Sequence, residues 1–91
     1  MQTPSAKRVG IVIRAPLERR LTEALRCAGV TGFTVLPVLG GAGRSVGMVA
    51  VICLLWPDRL DALFEAAFAV AETHIGPVSV TECQVLWAER F

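Results

Sequence analysis

Along the first third of the chain the apolar positions change period once. Val9, Ile11 and Ile13 alternate with Gly10, Val12 and Arg14, and the run is rich in β-branched residues, so it reads as a strand. Ala15-Pro16 breaks it, and proline suits the first turn of a helix. From there Leu17, Leu21, Ala24, Leu25 and Ala28 recur at spacings of three and four, with Arg19, Arg20, Glu23 and Arg26 on the other faces and Gly29 as a stop. After Thr31-Gly32, Phe33 to Leu39 has strand composition, with Pro37 implying an edge or a bulge. A loop follows with glycine at 40, 41, 43 and 47. Met48 to Trp56 is then apolar on both alternating sets, the pattern of a strand covered on both faces.

Pro57-Asp58 opens a second helix, with Asp58 placed favourably for the positive end of the helix dipole. Leu60, Leu63, Phe64, Ala67, Phe68 and Ala71 form its expected buried side, while Ala62, Ala66, Ala69 and Val70 leave the opposite side poor in charge as well. Gly76-Pro77 ends that segment. Val78 and Val80 alternate with Ser79 and Thr81, and Cys83 to Trp87 adds further strand character, with room for a short additional strand. The order β-α-β-β-α-β is that of a ferredoxin-like α+β sandwich, an antiparallel four-stranded sheet with both helices on one face. The chain reads as a single domain over 1–91, with 1–6 expected to be a disordered tail.

Such a sheet leaves one face open, and the doubly apolar strand at 48–56 then lacks cover on that side. Composition strengthens the point: 54% of 91 residues are hydrophobic, mean hydropathy is +0.58, and a domain of this size buries only about 60–65% of its unfolded surface. Packing of sheets between subunits is the expected remedy. With 19% charged residues and a net charge of +1 there is no basic field for a phosphate backbone, so nucleic acid is not an expected partner. The longest apolar stretch, Met48 to Trp56, is about half of the ~20 residues needed to cross a bilayer, and MQTPSAKRVG lacks the apolar core of a secretory signal. The expected location is cytoplasmic, without membrane insertion.

Candidate chemistry is sparse. Cys27, Cys53 and Cys83 are widely separated among apolar neighbours, fit no zinc spacing, and read as small buried hydrophobes. His74 is the only histidine, so no metal site is expected. No nucleophile sits beside a base, and Glu18, Glu23, Glu65, Glu72, Glu82 and Glu89 read as solvated positions, so an enzyme is not expected and no catalytic residue is assigned. The loop Gly40-Gly41-Ala42-Gly43-Arg44-Ser45-Val46-Gly47 is the segment suited to a ligand. Its glycines let backbone N–H groups turn inward on phosphate or carboxylate oxygens, and Arg44 adds a fork of charged donors, although the loop is neither a P-loop nor GxGxxG.

Ala28-Gly29-Val30-Thr31-Gly32-Phe33-Thr34-Val35 followed by Gly41-Ala42-Gly43-Arg44 resembles the signature of the PII signalling proteins. Arg14-Ala15-Pro16 and Pro57-Asp58-Arg59 fit the same plan, and the resemblance runs from about Lys7 to Arg90. It implies a homotrimer with clefts between subunits that bind adenine nucleotides. Thr34 would meet the adenine end, Gly40, Gly41, Ala42, Gly43 and Arg44 the phosphates, and Gly76 and Arg90 would complete the site.

The chain departs from the nitrogen-regulatory members in three places. Only Ser45-Val46-Gly47 follows Arg44 where they carry a long T-loop, Glu72-Thr73-His74-Ile75-Gly76 replaces a lysine-bearing loop, and Arg90 stands for a pair of arginines. These departures resemble the PII-like branch of carboxysome-associated proteins and bicarbonate-transport regulators. The resemblance therefore implies a non-enzymatic sensor of ADP or AMP rather than ATP, with bicarbonate as a further ligand and an unidentified transporter, carboxysome component or enzyme as its target. The alternative is a PII-like or CutA-like trimer that serves as an assembly or metal-responsive module and binds no nucleotide.

Overall fold

The computed structural model describes residues 5–30, 32–39, 47–71 and 75–86. Strand β1 (Ser5–Arg14) leads through a 3-10 turn (Ala15–Leu17) into helix α1 (Glu18–Cys27), and β2 (Gly32–Pro37) follows. Strand β3 (Met48–Leu55), a second 3-10 turn (Pro57–Arg59), α2 (Leu60–Ala71) and β4 (Ile75–Gln84) complete the order. The four strands form one sheet in the order β2-β3-β1-β4, and every neighbouring pair is antiparallel. This is the split βαβ arrangement that the alternation of periods predicts: the crossover from β1 to β2 leaves room for β3 between them, and that from β3 to β4 passes over β1.

Register assigns the two faces. Val9 stands opposite Cys53 and Val80, Ile11 opposite Val51 and Val78, and Phe33 and Val35 opposite Cys53 and Val51. The central residues of this set are fully buried with Leu21 and Leu25 of α1 and Leu63 of α2. The other alternate set, Gly10 and Val12 with Ala50, Ile52 and Leu54, forms the face away from the helices and is half-buried in the single chain. Met48–Leu55 thus carries apolar residues to both faces, as its unbroken hydrophobic run predicts.

Several boundaries differ from expectation. β1 begins at Ser5, and Ala6 is buried opposite Cys83, so the last two residues of the expected tail belong to the sheet; residues 1–4 lie outside the described residues. β2 ends at Pro37 rather than Leu39, since the proline nitrogen cannot extend the ladder. Gly76-Pro77 does not precede the last strand but lies within it. Between the pairs Ile11–Val78 and Ile13–Ile75 the register slips by one residue, a bulge that accommodates Pro77 on an edge strand. Ile75–Gln84 is one continuous strand, and no fifth strand occurs among the described residues.

The C-terminus of α1 shows why Gly29 is where it is. Gly29 adopts φ +85°, its N–H donates to the Arg26 carbonyl, and the Val30 N–H donates back to the Leu25 carbonyl. That is a Schellman cap, and buried Val30 and Leu25 supply its accompanying apolar contact. The Arg59 guanidinium lies over the cap, with Nη1 3.4 Å from where a Gly29 Cβ would stand. A cation there also meets the negative end of the α1 dipole. Gly29→Ala is expected to cost about 1–2 kcal/mol from the left-handed backbone alone, read as a lower urea midpoint at fixed protein concentration.

Helix α2 corrects one expectation in detail. Leu63 and Ala67 point into the core and Leu60, Ala66 and Val70 pack against it, but Phe64 and Phe68 do not join them and are exposed. Cys27 is likewise exposed on α1 rather than buried, Cys83 is half-buried, and only Cys53 sits in the core as expected. Among the described residues no helix is long and apolar enough to cross a membrane.

Candidate functional site

Of the residues expected to form a site, the structure describes Thr34 and the backbone of Gly76. Gly40, Gly41, Ala42, Gly43, Arg44 and Arg90 lie outside the described residues, as do His74, Ser45 and Val46. What the structure does show is the ground on which the glycine loop stands.

Thr34 occupies the middle of β2, exposed, on the face away from the helices. Its register partner on β3 is Ile52, which stands opposite Gly10, and Gly10 in turn stands opposite Ser79. A Cβ at Gly10 would lie 3.2 Å from the Ser79 Oγ and 3.7 Å from the Ile52 Cδ1, so the neighbours already lean over this glycine and the row stays flat. Thr34 is therefore a hydroxyl at the edge of a smooth, largely apolar strip.

The glycine loop leaves the sheet from the end of β2 and returns to it at Gly47. The return is fixed by a hydrogen bond of 2.8 Å from the Ala15 N–H to the Gly47 carbonyl, which ties the loop to the turn between β1 and α1. Gly47 has φ +75°, a conformation that favours glycine although nothing stands within 4 Å of its missing Cβ. The beginning of β4 reaches the same end of the sheet, because Ile75 pairs with Ile13, one residue before Arg14. The structure thus gathers at one end the two stems of the loop, Gly76 and the exposed Arg14.

Arg14 is a further candidate, to which the sequence alone assigns no role in the site. It appears in the sequence only as a basic residue closing a strand, whereas the pairing with Met48 sets it beside the loop's return. Its guanidinium adds positive charge at the end of the sheet to which Gly47 returns. Thr34 stands three residues before Pro37, roughly 10 Å along the strand at about 3.4 Å per residue from the end of β2 where the chain leaves the sheet.

Nothing among the described side chains adds a reactive group. Burial pushes the Cys53 thiol up to about 11, so it stays protonated and inert at neutral pH. No three His, Cys, Asp or Glu side chains among the described residues come together as metal ligands. The ion pair from Lys7 Nζ to Glu82 Oε1, at 3.2 Å, lies at the opposite end of the sheet and is largely exposed.

Comparison with solved structures finds the same architecture over the full chain. CPII, a nitrogen regulatory PII-like protein from Thiomonas intermedia K12 solved with ADP, AMP and bicarbonate, is 26% identical, with a TM-score of 0.85 covering 99% of this chain and 100% of that one. Its apo form gives 24% identity and a TM-score of 0.80 over 92% of this chain and 95% of that one. A protein from Thermus thermophilus described as PII-like shares the fold at 20% identity, with a TM-score of 0.82 over 100% of this chain and 99% of that one. The curated protein sequences give no match. Residues 6–90 match the family model described as nitrogen regulatory protein P-II, nearly the whole chain, and the protein therefore belongs to that family.

Proposed function

We propose that the protein is a non-enzymatic cytoplasmic regulator that binds an adenine nucleotide, ADP or AMP in preference to ATP, in clefts between the subunits of a homotrimer. The observation that carries this reading is the assembly of both loop stems, Gly76 and Arg14 at one end of the sheet, with Thr34 on the open face of the strand that leads into the loop. The relative that covers the whole chain at 26% identity was solved with ADP, AMP and bicarbonate, which supports the same ligand class here.

Thr34 would accept or donate at the base, the backbone of Gly40, Gly41, Ala42 and Gly43 would face phosphate oxygens, and Arg44, Arg14 and Arg90 would neutralise them. Glu72-Thr73-His74 supplies no lysine for a third phosphate, which is why ADP and AMP are favoured. Subunits would join through the open sheet face, whose apolar residues Val12, Ala50, Ile52 and Leu54 a single chain leaves half-covered. Bicarbonate would be a second ligand, and the regulated target a component of inorganic carbon metabolism.

Titration calorimetry with AMP, ADP and ATP tests the ligand, repeated in bicarbonate and chloride buffers at equal ionic strength. Heat with ADP or AMP at lower concentration than with ATP is expected. Absence of heat with all three would overturn nucleotide binding, and an equal response in both buffers would remove bicarbonate.

A further inference from the structure

We propose that the groove between α2 and β4 is a docking site for a basic amphipathic helix of a partner protein. The groove follows from how the helices divide the sheet. Val78 and Val80 are on the helix side by register, opposite Ile11 and Val9, yet they remain 39% and 40% exposed while those partners are fully buried. The helix layer covers β1 and stops short of β4. On α2, Leu63 and Ala67 point at the sheet, so Ala62 and Ala66 take one flank and Phe64 and Phe68 the other. A right-handed crossover from β3 to β4 sets α1 on the alanine flank and β4 on the phenylalanine flank. Phe64 is 39% exposed and Phe68 64%, so these two rings and the two valines make one apolar trough along the sheet's last strand.

The rim of the trough is acidic. Asp61 and Glu65 are exposed on α2 beside the two rings, being one turn before Phe64 and Phe68 respectively, and Glu82 continues the row of Val78 and Val80. The one basic side chain close by among the described residues, Lys7, is engaged with Glu82. Of the exposed arginines of the helix layer, Arg19, Arg20 and Arg26 belong to α1, with Arg26 over the Phe33 ring at the far edge of the sheet, and Arg59, on the turn before α2, reaches towards the α1 cap at Gly29. An occupant that buries apolar side chains here must therefore bring positive charge to the rim. A helix laid beside α2 at the usual ~8–10 Å spacing would cover the valines with its apolar side and meet Asp61 and Glu65 with lysines or arginines. The proposal rests on the reading of this chain as a regulator only in supposing a protein target.

The probe is a labelled 18-residue peptide of leucine and lysine in amphipathic helical order, followed by fluorescence anisotropy, with a leucine and glutamate peptide as counter-probe. The wild type is expected to bind the lysine peptide and not the glutamate one, more weakly as salt rises. Phe64→Ser with Phe68→Ser should weaken binding roughly tenfold or more, since both rings are anchors. Asp61→Asn with Glu65→Gln should weaken it several-fold and flatten the salt dependence, while Glu23→Gln on α1 should change nothing. Binding unaltered by the phenylalanine pair, or lost equally in Glu23→Gln, overturns the proposal. So does a fall in assembly mass in the phenylalanine variant, which would mean that copies of the chain already cover the trough. The same variant should bind ADP as the wild type does, so a failure of nucleotide binding and a failure of docking are read separately.

Discussion

Gly43→Val is expected to abolish adenylate binding while leaving the assembly unchanged in mass. If the loop cradles phosphates through its backbone, the donors must come within hydrogen-bond reach of oxygen, and an isopropyl group at the point of approach excludes them. Arg44→Ala acts by a different route and should leave residual binding. It removes charge-assisted hydrogen bonds that contribute about 1.5–3 kcal/mol, so affinity for ADP should fall roughly 10- to 100-fold, and the remainder should depend less on salt. Adenosine should lose far less than ADP, because the arginine is assigned to phosphate and Thr34 to the base. Calorimetry on the wild type and both variants measures all of this. Wild-type ADP affinity in Gly43→Val would show that the loop is not the phosphate site.

Arg14 sharpens the expectation. It stands at the end of the sheet to which Gly47 returns, and its backbone is held by pairing with Met48. Removing it should weaken ADP binding less than removing Arg44 does.

The sheet was legible in the sequence for physical reasons that can be named. Val9, Ile11 and Ile13 alternate because one face of β1 meets the helices, and Met48–Leu55 does not alternate because both faces carry apolar residues. The cap at Gly29 was legible too, since a left-handed residue after a helical run is most readily glycine. Helix α2 was not, because its apolar residues run nearly all the way round. Leu63 and Ala67 fix the inward direction, but Phe64 and Ala66 lie on either side of it with similar claims to burial. The choice falls to the alanine flank because α1 packs there and small side chains allow close approach, a fact of tertiary structure that the period of 3.6 does not contain. Cys27 differs again: it falls one turn after Glu23, on the exposed side, so the helical period did mark it and apolar composition alone misplaced it.

The candidate site was legible as composition but not as position. The glycines and Arg44 give the composition expected of an anion cradle, whereas the register that sets Arg14 beside Gly47 depends on β1 pairing with β3 thirty-four residues away. Long-range pairing leaves no local trace in a sequence beyond the strands themselves. Thr34 could be placed on a strand, but its outward direction follows only once Phe33 and Val35 are seen to pack against the core.

Ile52→Asp is expected to break the assembly into single chains and, with it, to remove ADP binding. Ile52 is at the centre of the open face, between Thr34 and Gly10, with its Cδ1 leaning over the glycine. In a lone chain an aspartate there is half-exposed and can keep its hydration, so the helical signal and the core should survive. Between subunits the same carboxylate would lose water without gaining a partner, at an effective cost of several kcal/mol, and a threefold assembly would incur it three times. Light scattering should therefore report a wild-type mass three times the 9.8 kDa of one chain and a variant mass near that of the chain itself. Because the open face and the α2–β4 trough lie on opposite sides of the sheet, Phe68→Ser should leave the mass untouched while Ile52→Asp collapses it. The reverse pattern would place the subunit contact on the helix side. An assembled Ile52→Asp protein that still bound ADP would separate the nucleotide site from the sheet-to-sheet interface altogether.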